Sequence, residues 1–153
     1  MAQAFICNGM LGKLCKLMRM CGFDTAYTNE GMRIIVTARH QRRIILTKNT
    51  RLKEKDGVLF IQSADPIKQL GEVVNAYDLK QRLQPFTRCL VCNHALKPVS
   101  KEAVKHHIPF YTYQNFDIFA RCTGCNKIYW QGSHYTHMVH ALAGYFNHPD
   151  TDE

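Results

Sequence analysis

The sequence predicts an α/β fold, with a mostly parallel sheet and flanking helices, followed by a small cysteine-rich domain. Over residues 1–84, short apolar strand-like segments alternate with amphipathic helix-like segments, and this alternation favours a parallel sheet covered by helices. After residues 81–85 the sequence changes to cysteine pairs, aromatic residues and histidines. We therefore place one domain at residues 1–84, a second at residues 85–146, and a frayed polar tail at residues 147–153.

The first strand and the first helix are predicted near the amino terminus. Residues 4–7 form a short apolar run, and residues 10–21 carry Leu11, Leu14 and Met18 at helical spacing. The same segment is basic and has no acidic residue, so a targeting peptide is the alternative interpretation. We favour the folded interpretation, because the apolar pattern is that of a strand followed by a helix.

Three more strands and two more helices are predicted from the same kind of pattern. We expect strands at residues 25–27, 44–47 and 58–61, and helices at residues 31–41 and from Pro66 onwards. Sites in parallel sheets lie outside the carboxyl ends of the strands. Here those ends fall near residues 7–8, 47–49 and 63–65.

The positive charge is concentrated in the first domain. The chain has 20 lysines and arginines and 12 aspartates and glutamates, for a formal net charge of +8. Residues 1–86 hold 14 basic and 7 acidic side chains, whereas residues 87–153 hold 6 and 5. A basic domain of this size favours a polyanionic partner such as a nucleic acid. A charge that serves only solubility is the alternative.

Composition and cysteine number indicate the class of protein and the compartment in which it folds. Hydrophobic residues make up 46% of the chain and charged residues 21%, as in globular proteins. No apolar run reaches the ~20 residues of a membrane-spanning helix, so we expect no membrane partner. Seven cysteines, an odd number, argue against a disulfide framework and for a reducing compartment. We predict the cytoplasm, with the nucleus or an organelle as the alternative. The single cysteines Cys7, Cys15 and Cys21 are expected to be small buried hydrophobic residues.

Two C-x-x-C pairs predict a metal site in the second domain. They read R-C-L-V-C-N at residues 88–93 and R-C-T-G-C-N at residues 121–126. Each turn directs two thiolates at one cation, and Gly124 is expected to supply a positive φ in the second turn. Together they offer the four sulfurs of a structural zinc site: Cys89, Cys92, Cys122 and Cys125. A redox dithiol and an iron–sulfur cluster are the alternatives.

Three stretches of the sequence resemble a known family. They are F-I-C-N-G-M-L-G-K-L-C-K-L-M-R-M-C-G-F-D-T (5–25), R-R-I-I-L-T-K-N-T-R-L (42–52), and the two cysteine pairs with the later K-I-Y-W-Q-G-S-H-Y (127–135). Together they resemble the C-terminal RNase domain of the mutator-seven exonuclease family, which has a PIN-like nuclease fold followed by a zinc ribbon. The resemblance covers residues 5–138 and implies RNA as the partner.

The resemblance also implies an acidic metal site, and this sequence departs from it. PIN-like nucleases hydrolyse RNA with Mg²⁺ or Mn²⁺ held by carboxylates, since these ions prefer charged oxygen ligands. Two expected acidic positions are Asn8 and Asn49, and Glu30 is the charged residue near the third. Asp65 either approaches the site or caps the following helix, and we favour the cap. The loss of two carboxylates puts metal-dependent hydrolysis in doubt.

Candidate RNA contacts are basic and aromatic side chains. Basic residues on the first helix and around the third strand are expected to rim one crevice and to contact phosphates: Lys13, Lys16, Arg19, Arg42, Arg43, Lys48 and Arg51. For the first three, a merely solvated helix face is the alternative. Tyr129 and Trp130 are the aromatic residues expected to be exposed for base stacking. His134 follows them, and with His137 and His140 it forms either a polar helix face or, as the alternative, a second metal site.

Three functions remain open at this point. The first is an RNA-binding protein of a PIN-like ribonuclease family, with doubtful hydrolysis. The second is a catalytically silent module that keeps the fold and binds RNA or, through its zinc ribbon, a protein partner. The third is an active Mg²⁺- or Mn²⁺-dependent ribonuclease that uses Glu30, Asp65 and the oxygens of Asn8 and Asn49.

Overall fold

The first sheet has four parallel strands. The computed structural model describes residues 2–147, apart from the side chains of residues 134, 146 and 147. The strands lie in the order β2–β1–β3–β4, and their bounds are β1 Phe5–Asn8, β2 Thr25–Thr28, β3 Ile44–Thr47 and β4 Val58–Phe60. Phe5 of the central strand β1 lies opposite Thr25 on one side and Ile44 on the other. The predicted parallel α/β fold is confirmed.

Three helices accompany these strands. Helix α1 (Gly12–Met20) leads from β1 to β2, α2 (Ile34–Gln41) leads from β2 to β3, and α3 (Pro66–Tyr77) follows β4. Short 3-10 turns lie at Gly9–Leu11, Gly31–Arg33, Thr50–Leu52 and Lys80–Arg82. The first two of these turns occupy the predicted starts of α1 and α2, so both α-helices begin a few residues later than the apolar pattern suggests.

The strand residues alternate between two apolar layers. Phe5 and Cys7 belong to a core that is formed with α1 and α3, whereas Ile6 belongs to a core on the other face that is formed with α2. This follows because successive side chains of a strand point to opposite faces. Cys7, Cys15 and Cys21 are all buried in the first core, as predicted. The sheet is therefore covered by helices on both faces.

The second sheet is a small antiparallel one. Its strands lie in the order β5–β6–β7, with bounds β5 Leu96–Val99, β6 Phe119–Cys122 and β7 Ile128–Trp130. Two short helices, α4 (Lys101–Val104) and α5 (Phe110–Asn115), lie in the connection from β5 to β6. One cysteine pair precedes β5 and the other follows from the end of β6, so the strands of this sheet hold the two turns side by side.

The last helix, α6 (Ser133–Asn147), packs on the first domain. Leu142 is buried in the core that β1 and α1 form, and Met138 and Tyr145 pack against that core. The Tyr145 ring lies so close to Gly71 of α3 that a Cβ atom there would overlap with it. Residues of the predicted second domain therefore complete the core of the first.

Two further predictions concern the ends of the chain and the membrane. The predicted tail, residues 147–153, lies outside the described residues except for Asn147. None of the helices within residues 2–147 has both the length and the apolar character that crossing a membrane requires.

Candidate functional site

Four cysteine sulfurs converge between the two turns of the second domain. All four Sγ atoms lie within 4.8 Å of one another. The Sγ atoms of Cys89 and Cys125 are 3.8 Å apart, and those of Cys92 and Cys122 are 3.2 Å apart. A tetrahedron with Zn–S bonds of ~2.3 Å has edges of about 3.8 Å, and thiolates are the ligands that structural zinc prefers. The four residues singled out in the sequence thus form a set that can hold a zinc ion.

The backbone of each turn is shaped by an asparagine rather than by a glycine. Asn93 and Asn126, which directly follow the cysteine pairs, have φ values of 71° and 65°. Asparagine tolerates this left-handed conformation better than most residues do. Gly124 was expected to supply the positive φ, and this is wrong. Gly124 instead allows the His94 ring to pack closely against the turn, because a Cβ atom at position 124 would lie 2.6 Å from that ring.

Tyr129 belongs to the surroundings of the cysteine set. Its hydroxyl lies 3.0 Å from the Cys89 Sγ and accepts a hydrogen bond of 3.1 Å from the Leu90 amide. Burial opposes ionisation of the Cys89 thiol, but hydrogen bonds from the Tyr129 hydroxyl and from the Cys92 and Val91 amides lower its pKa to about 6. Burial raises the pKa of Tyr129, so the hydroxyl keeps its proton. The half-buried ring differs from the exposed stacking surface that was predicted.

Arg19 joins the first cysteine turn to the first domain. Its Nε donates to the Thr25 carbonyl at 2.8 Å, and an Nη1 atom donates to the carbonyls of Leu90 and Val91 at 2.9 and 3.2 Å. The residue is only 9% exposed. The prediction that Arg19 belongs to an exposed RNA-binding stripe is therefore wrong, because this position of α1 faces the second domain rather than solvent.

Asn93 makes a second connection between the domains. Its Oδ1 accepts from the Thr25 amide at 3.0 Å, and its Nδ2 donates to Asp24 Oδ1 at 2.7 Å. The same Asp24 oxygen forms a salt bridge of 2.7 Å with Arg43. Burial opposes ionisation of Asp24, but the hydrogen bonds from Arg43 and Asn93 outweigh it and lower the pKa of the carboxyl. Asp24 is therefore an ionised anchor between the domains.

A cleft at the carboxyl edge of the first sheet brings together two of the four predicted catalytic residues, Asn8 and Asn49. It is lined by Asn8, Gly9, Met10, Asn29, Gly31, Lys48, Asn49 and Thr50. Asn8 Oδ1 accepts from the Gly9 amide at 2.7 Å, which directs its Nδ2 to Thr47 Oγ1 at 3.1 Å. The Asn49 amide donates to the same hydroxyl oxygen at 3.0 Å. Thr47, fully buried at the end of β3, thus holds both asparagines in place.

The other two predicted catalytic residues, Glu30 and Asp65, do not line this cleft. Asn29 and Gly31 contribute to the lining, but Glu30 between them does not, and its Oε2 lies 3.4 Å from Thr37 Oγ1. Asp65 Oδ2 accepts from the Lys68 amide at 3.2 Å, as a helix N-cap does. The described lining therefore contains no carboxylate. This donor set does not fit Mg²⁺ or Mn²⁺, which take charged oxygen ligands.

Lys48 supplies the positive charge of the cleft. Its Nζ donates to the carbonyls of Ile61, Gln62 and Ser63 at 3.4, 3.1 and 3.1 Å, which engages all three of its donors. Glu72 of α3 accepts from the amides of Gln62 and Ser63 at 2.9 and 3.0 Å and so holds the same segment. Glu72 was not among the predicted residues, since nothing in the helical pattern of α3 separates it from a solvated position.

The predicted basic rim divides between the two edges of the sheet. Arg42 and Arg43 precede β3 and lie at the amino ends of the strands, opposite the cleft, so their placement at the crevice is wrong. Arg43 is also engaged by Asp24 and by the Phe5 carbonyl. Arg51 lies in the turn after Asn49, on the side of the cleft. Lys13 and Lys16 are exposed on α1 and make no side-chain hydrogen bond or ion pair with the described residues.

The exposed aromatic and apolar side chains are not the predicted ones. Trp130 is half-buried on β7, opposite Phe119 in the register. The side chain of His134 lies outside the described part of the chain. The side chains that are exposed beside the cleft are Met10, Tyr27 and Met32, and those exposed on the second domain include Phe110 and Tyr111. Sequence reasoning missed Tyr27, although a tyrosine near the end of a strand is a usable signal.

Comparison with known proteins identifies the family of this chain. A family model described as the Mut7-C RNAse domain matches residues 3–142, which include both sheets, the cleft and all four cysteines. The comparison with curated proteins gave no match, and the comparison with solved structures gave none either. Because the matched range covers nearly the whole chain, this protein belongs to the Mut7-C RNAse domain family.

Proposed function

We propose that this chain binds RNA at the carboxyl edge of its first sheet and hydrolyses it weakly or not at all. One observation carries the proposal: in a domain of an RNase family, the cleft is lined by amide groups and a lysine, without a carboxylate among its described residues. An amide keeps an oxygen acceptor but loses the charge on which divalent-metal affinity depends. The ammonium of Lys48 beside Asn49 disfavours a cation and favours a phosphate.

Charge around the cleft supports an RNA partner. Lys13 and Lys16 are exposed on the helix that follows β1, and Arg51 is exposed in the turn that follows β3. Both helix and turn begin at the edge of the sheet where the cleft lies. Arginine and lysine side chains supply most of the phosphate contacts that position a protein on a nucleic acid, and amide groups contribute as well.

The cysteine set has a structural role in this proposal. We propose that it holds Zn²⁺ through four thiolates, which fill the coordination sphere and leave no position for substrate. The ion would hold together the two turns and the short strands β5, β6 and β7, which bury few apolar side chains of their own. The second domain thus stabilises the fold, and the cleft of the first domain contacts the RNA.

Two measurements on the zinc-loaded protein test the proposal. RNA affinity, measured by fluorescence anisotropy with a labelled single strand, is expected to fall as salt rises. The slope of log K against log salt should become shallower by roughly 0.7 for each phosphate-contacting lysine that is removed in Lys13→Ala and Lys16→Ala. Arg42→Ala, at the opposite edge of the sheet, is the matched control and should leave the slope unchanged. Incubation with Mn²⁺ should produce little or no cleavage.

The opposite outcomes point to the other two functions. Efficient Mn²⁺-dependent cleavage that Glu30→Gln or Asp65→Asn abolishes would show an active nuclease and contradict the proposal. RNA binding that is absent, or that does not respond to salt, would favour a protein partner. The exposed side chains Val91, Phe110, Tyr111 and Ile118 of the second domain are the observation that supports that second candidate.

A further inference from the structure

Three large apolar side chains are exposed at the rim of the cleft. Met10 is 70% exposed, Tyr27 41% and Met32 39%. Met10 lines the cleft itself, and the sulfur of Met32 lies 4.0 Å from Asn49 Nδ2. The hydroxyl of Tyr27 donates to the Gly9 carbonyl at 2.6 Å. Each of the three side chains thus lines the cleft or contacts a residue that lines it, and exposed apolar side chains at such a place indicate a binding surface.

The ring of Tyr27 is held in a fixed position. Tyr27 lies on β2, an edge strand of the sheet, and the hydrogen bond to Gly9 fixes the hydroxyl end of its ring. The ring also packs beside Gly12 at the start of α1, where its Cε1 lies 3.8 Å from the place that a Cβ would take. A side chain that is already ordered loses little conformational entropy when a ligand stacks on it. This arrangement suits a planar ligand.

Asn29 offers polar groups beside this apolar surface. It lines the cleft, and its side-chain oxygen packs so closely on Gly9 that a Cβ atom there would overlap with it. Its amide makes no hydrogen bond with other described residues. A side-chain amide carries both a donor and an acceptor, so it can pair with the polar edge of a nucleobase. The cleft and its rim thus combine exposed apolar side chains, hydrogen-bonding groups and the positive charge of Lys48.

We propose that Met10, Tyr27 and Met32 form a stacking platform for one unpaired nucleobase, while the adjoining cleft holds the neighbouring phosphate. This inference rests on the proposed function, because it presupposes RNA in the cleft. It goes further by assigning the class of RNA: a single strand, loop or end whose base is free to leave the helical stack. In a duplex the faces of the bases are covered by their neighbours, so they are not available for stacking on a side chain.

The experiment compares two RNAs and four variants of the zinc-loaded protein. A labelled single-stranded oligonucleotide and the same strand annealed to its complement are titrated with wild type, Tyr27→Ala, Tyr27→Phe, Met10→Ala and Tyr111→Ala. Tyr27→Ala should weaken single-strand binding by roughly 5- to 150-fold, the range for losing one base–aromatic stack. Tyr27→Phe keeps the ring and should keep most of the affinity. Met10→Ala should weaken binding less than Tyr27→Ala, and Tyr111→Ala, which removes an exposed aromatic ring on the second domain, should change nothing.

The outcomes separate this inference from the proposed function. The salt dependence of Tyr27→Ala should equal that of wild type, because no phosphate contact is removed. Wild-type protein that binds neither RNA in a salt-dependent way would overturn both proposals. Salt-dependent binding that is as tight for the duplex as for the single strand, or that both Tyr27→Ala and Met10→Ala leave unchanged, would overturn the platform alone. Thermal unfolding of each variant verifies that the affinity is compared between folded proteins.

Discussion

At the scale of single residues, this cleft differs from a carboxylate metal site by two side chains, which are amides instead of carboxylates. Asn8 donates through Nδ2 to Thr47 Oγ1, and the Asn49 Oδ1 accepts from the Arg51 amide at 3.0 Å. An aspartate fits both positions without a change of backbone. The Thr47 hydroxyl can rotate to donate to a carboxylate at position 8, and aspartate caps a turn as well as asparagine does. The fold around positions 8 and 49 therefore accommodates either a neutral amide or a charged carboxylate.

We expect the double variant Asn8→Asp with Asn49→Asp to gain affinity for Mn²⁺. Each new carboxylate attracts a dication by a few kcal/mol at short range in a partly exposed site, so the gain should be roughly tenfold or more. Calorimetric titration of the zinc-loaded protein measures it. Asn75→Asp with Gln114→Glu adds the same charge at exposed sites outside the cleft and serves as the control. Equal Mn²⁺ affinity in the two double variants would show that residues 8 and 49 do not define a metal position.

A second residue-scale prediction concerns Tyr129. Tyr129→Phe removes the hydroxyl that contacts the Cys89 sulfur and the Leu90 amide. Groups that contact metal ligands in this way are typically worth 10- to 100-fold in metal affinity, so zinc should bind about that much more weakly. Competition with a chromophoric chelator measures the change. Tyr111→Phe removes a hydroxyl from an exposed ring and should have no effect. A Tyr129→Phe protein with wild-type zinc affinity would mean that the hydroxyl serves packing only.

The residues that could be predicted from the sequence are those whose role depends on local spacing. The four cysteines are such a case, since a C-x-x-C turn already places two sulfurs on one side of the chain. Tyr129 is the opposite case, because its partner Cys89 is 40 positions away and nothing near Tyr129 indicates it. Arg19 likewise looks like part of a basic helix face until its acceptors, the carbonyls of Leu90 and Val91, are known.

At the scale of elements, Asp65 shows how a candidate ligand and a helix cap are distinguished. It directly precedes α3, its side chain accepts from the Lys68 amide, and Pro66 occupies the first helical position. We expect Asp65→Ala to lower the free energy of unfolding by about 0.5–2 kcal/mol, the usual cost of losing a cap. Asp65→Asn keeps the cap and should remain close to wild type. Chemical denaturation measures both variants.

The same pair of variants tests whether Asp65 has any part in RNA or metal binding. Since Asp65 does not line the cleft, RNA affinity and Mn²⁺ affinity should be the same in Asp65→Ala, Asp65→Asn and wild type. A loss of either affinity in Asp65→Asn, with its stability intact, would place this carboxylate in the site after all.

The order of strands and helices could be predicted from the sequence. The edge of the sheet at which a given basic residue lies was harder to predict. Strand–helix alternation is a local pattern, and it gave the parallel sheet correctly. Arg43 and Lys48 are five positions apart in sequence, but the four residues of β3 between them span about 13 Å at ~3.3 Å per residue. A strand therefore carries two neighbouring basic residues to opposite edges. The predicted crevice grouped both, because it counted proximity along the chain as proximity in space.

At the scale of the whole molecule, the cysteine set and the cleft are connected through β2. Thr25 begins this strand and is hydrogen-bonded to Asn93, next to Cys92. Tyr27 lies two residues further along β2 and contacts Gly9 of the cleft. The second domain thus supports the edge strand that carries the proposed stacking surface. Such a connection cannot be seen in local patterns, since Thr25 and Asn93 are 68 positions apart.

We expect Asn93→Gly to destabilise the protein more than Asn126→Gly does. Both asparagines adopt a positive φ, which glycine also adopts, so the two variants change the backbone in the same way. Of these two asparagines, Asn93 is the one that connects the domains, and its removal leaves the backbone amide of the fully buried Thr25 without its acceptor. An unsatisfied buried amide costs about 1–3 kcal/mol, and Asn93→Gly should lose that much more unfolding free energy. Denaturant unfolding at a fixed zinc concentration measures this difference, with zinc stoichiometry verified to be equal in both variants. Equal losses in the two variants would mean that the hydrogen bonds of Asn93 add nothing to stability, and that the packing of α6 on the first core suffices to hold the domains together.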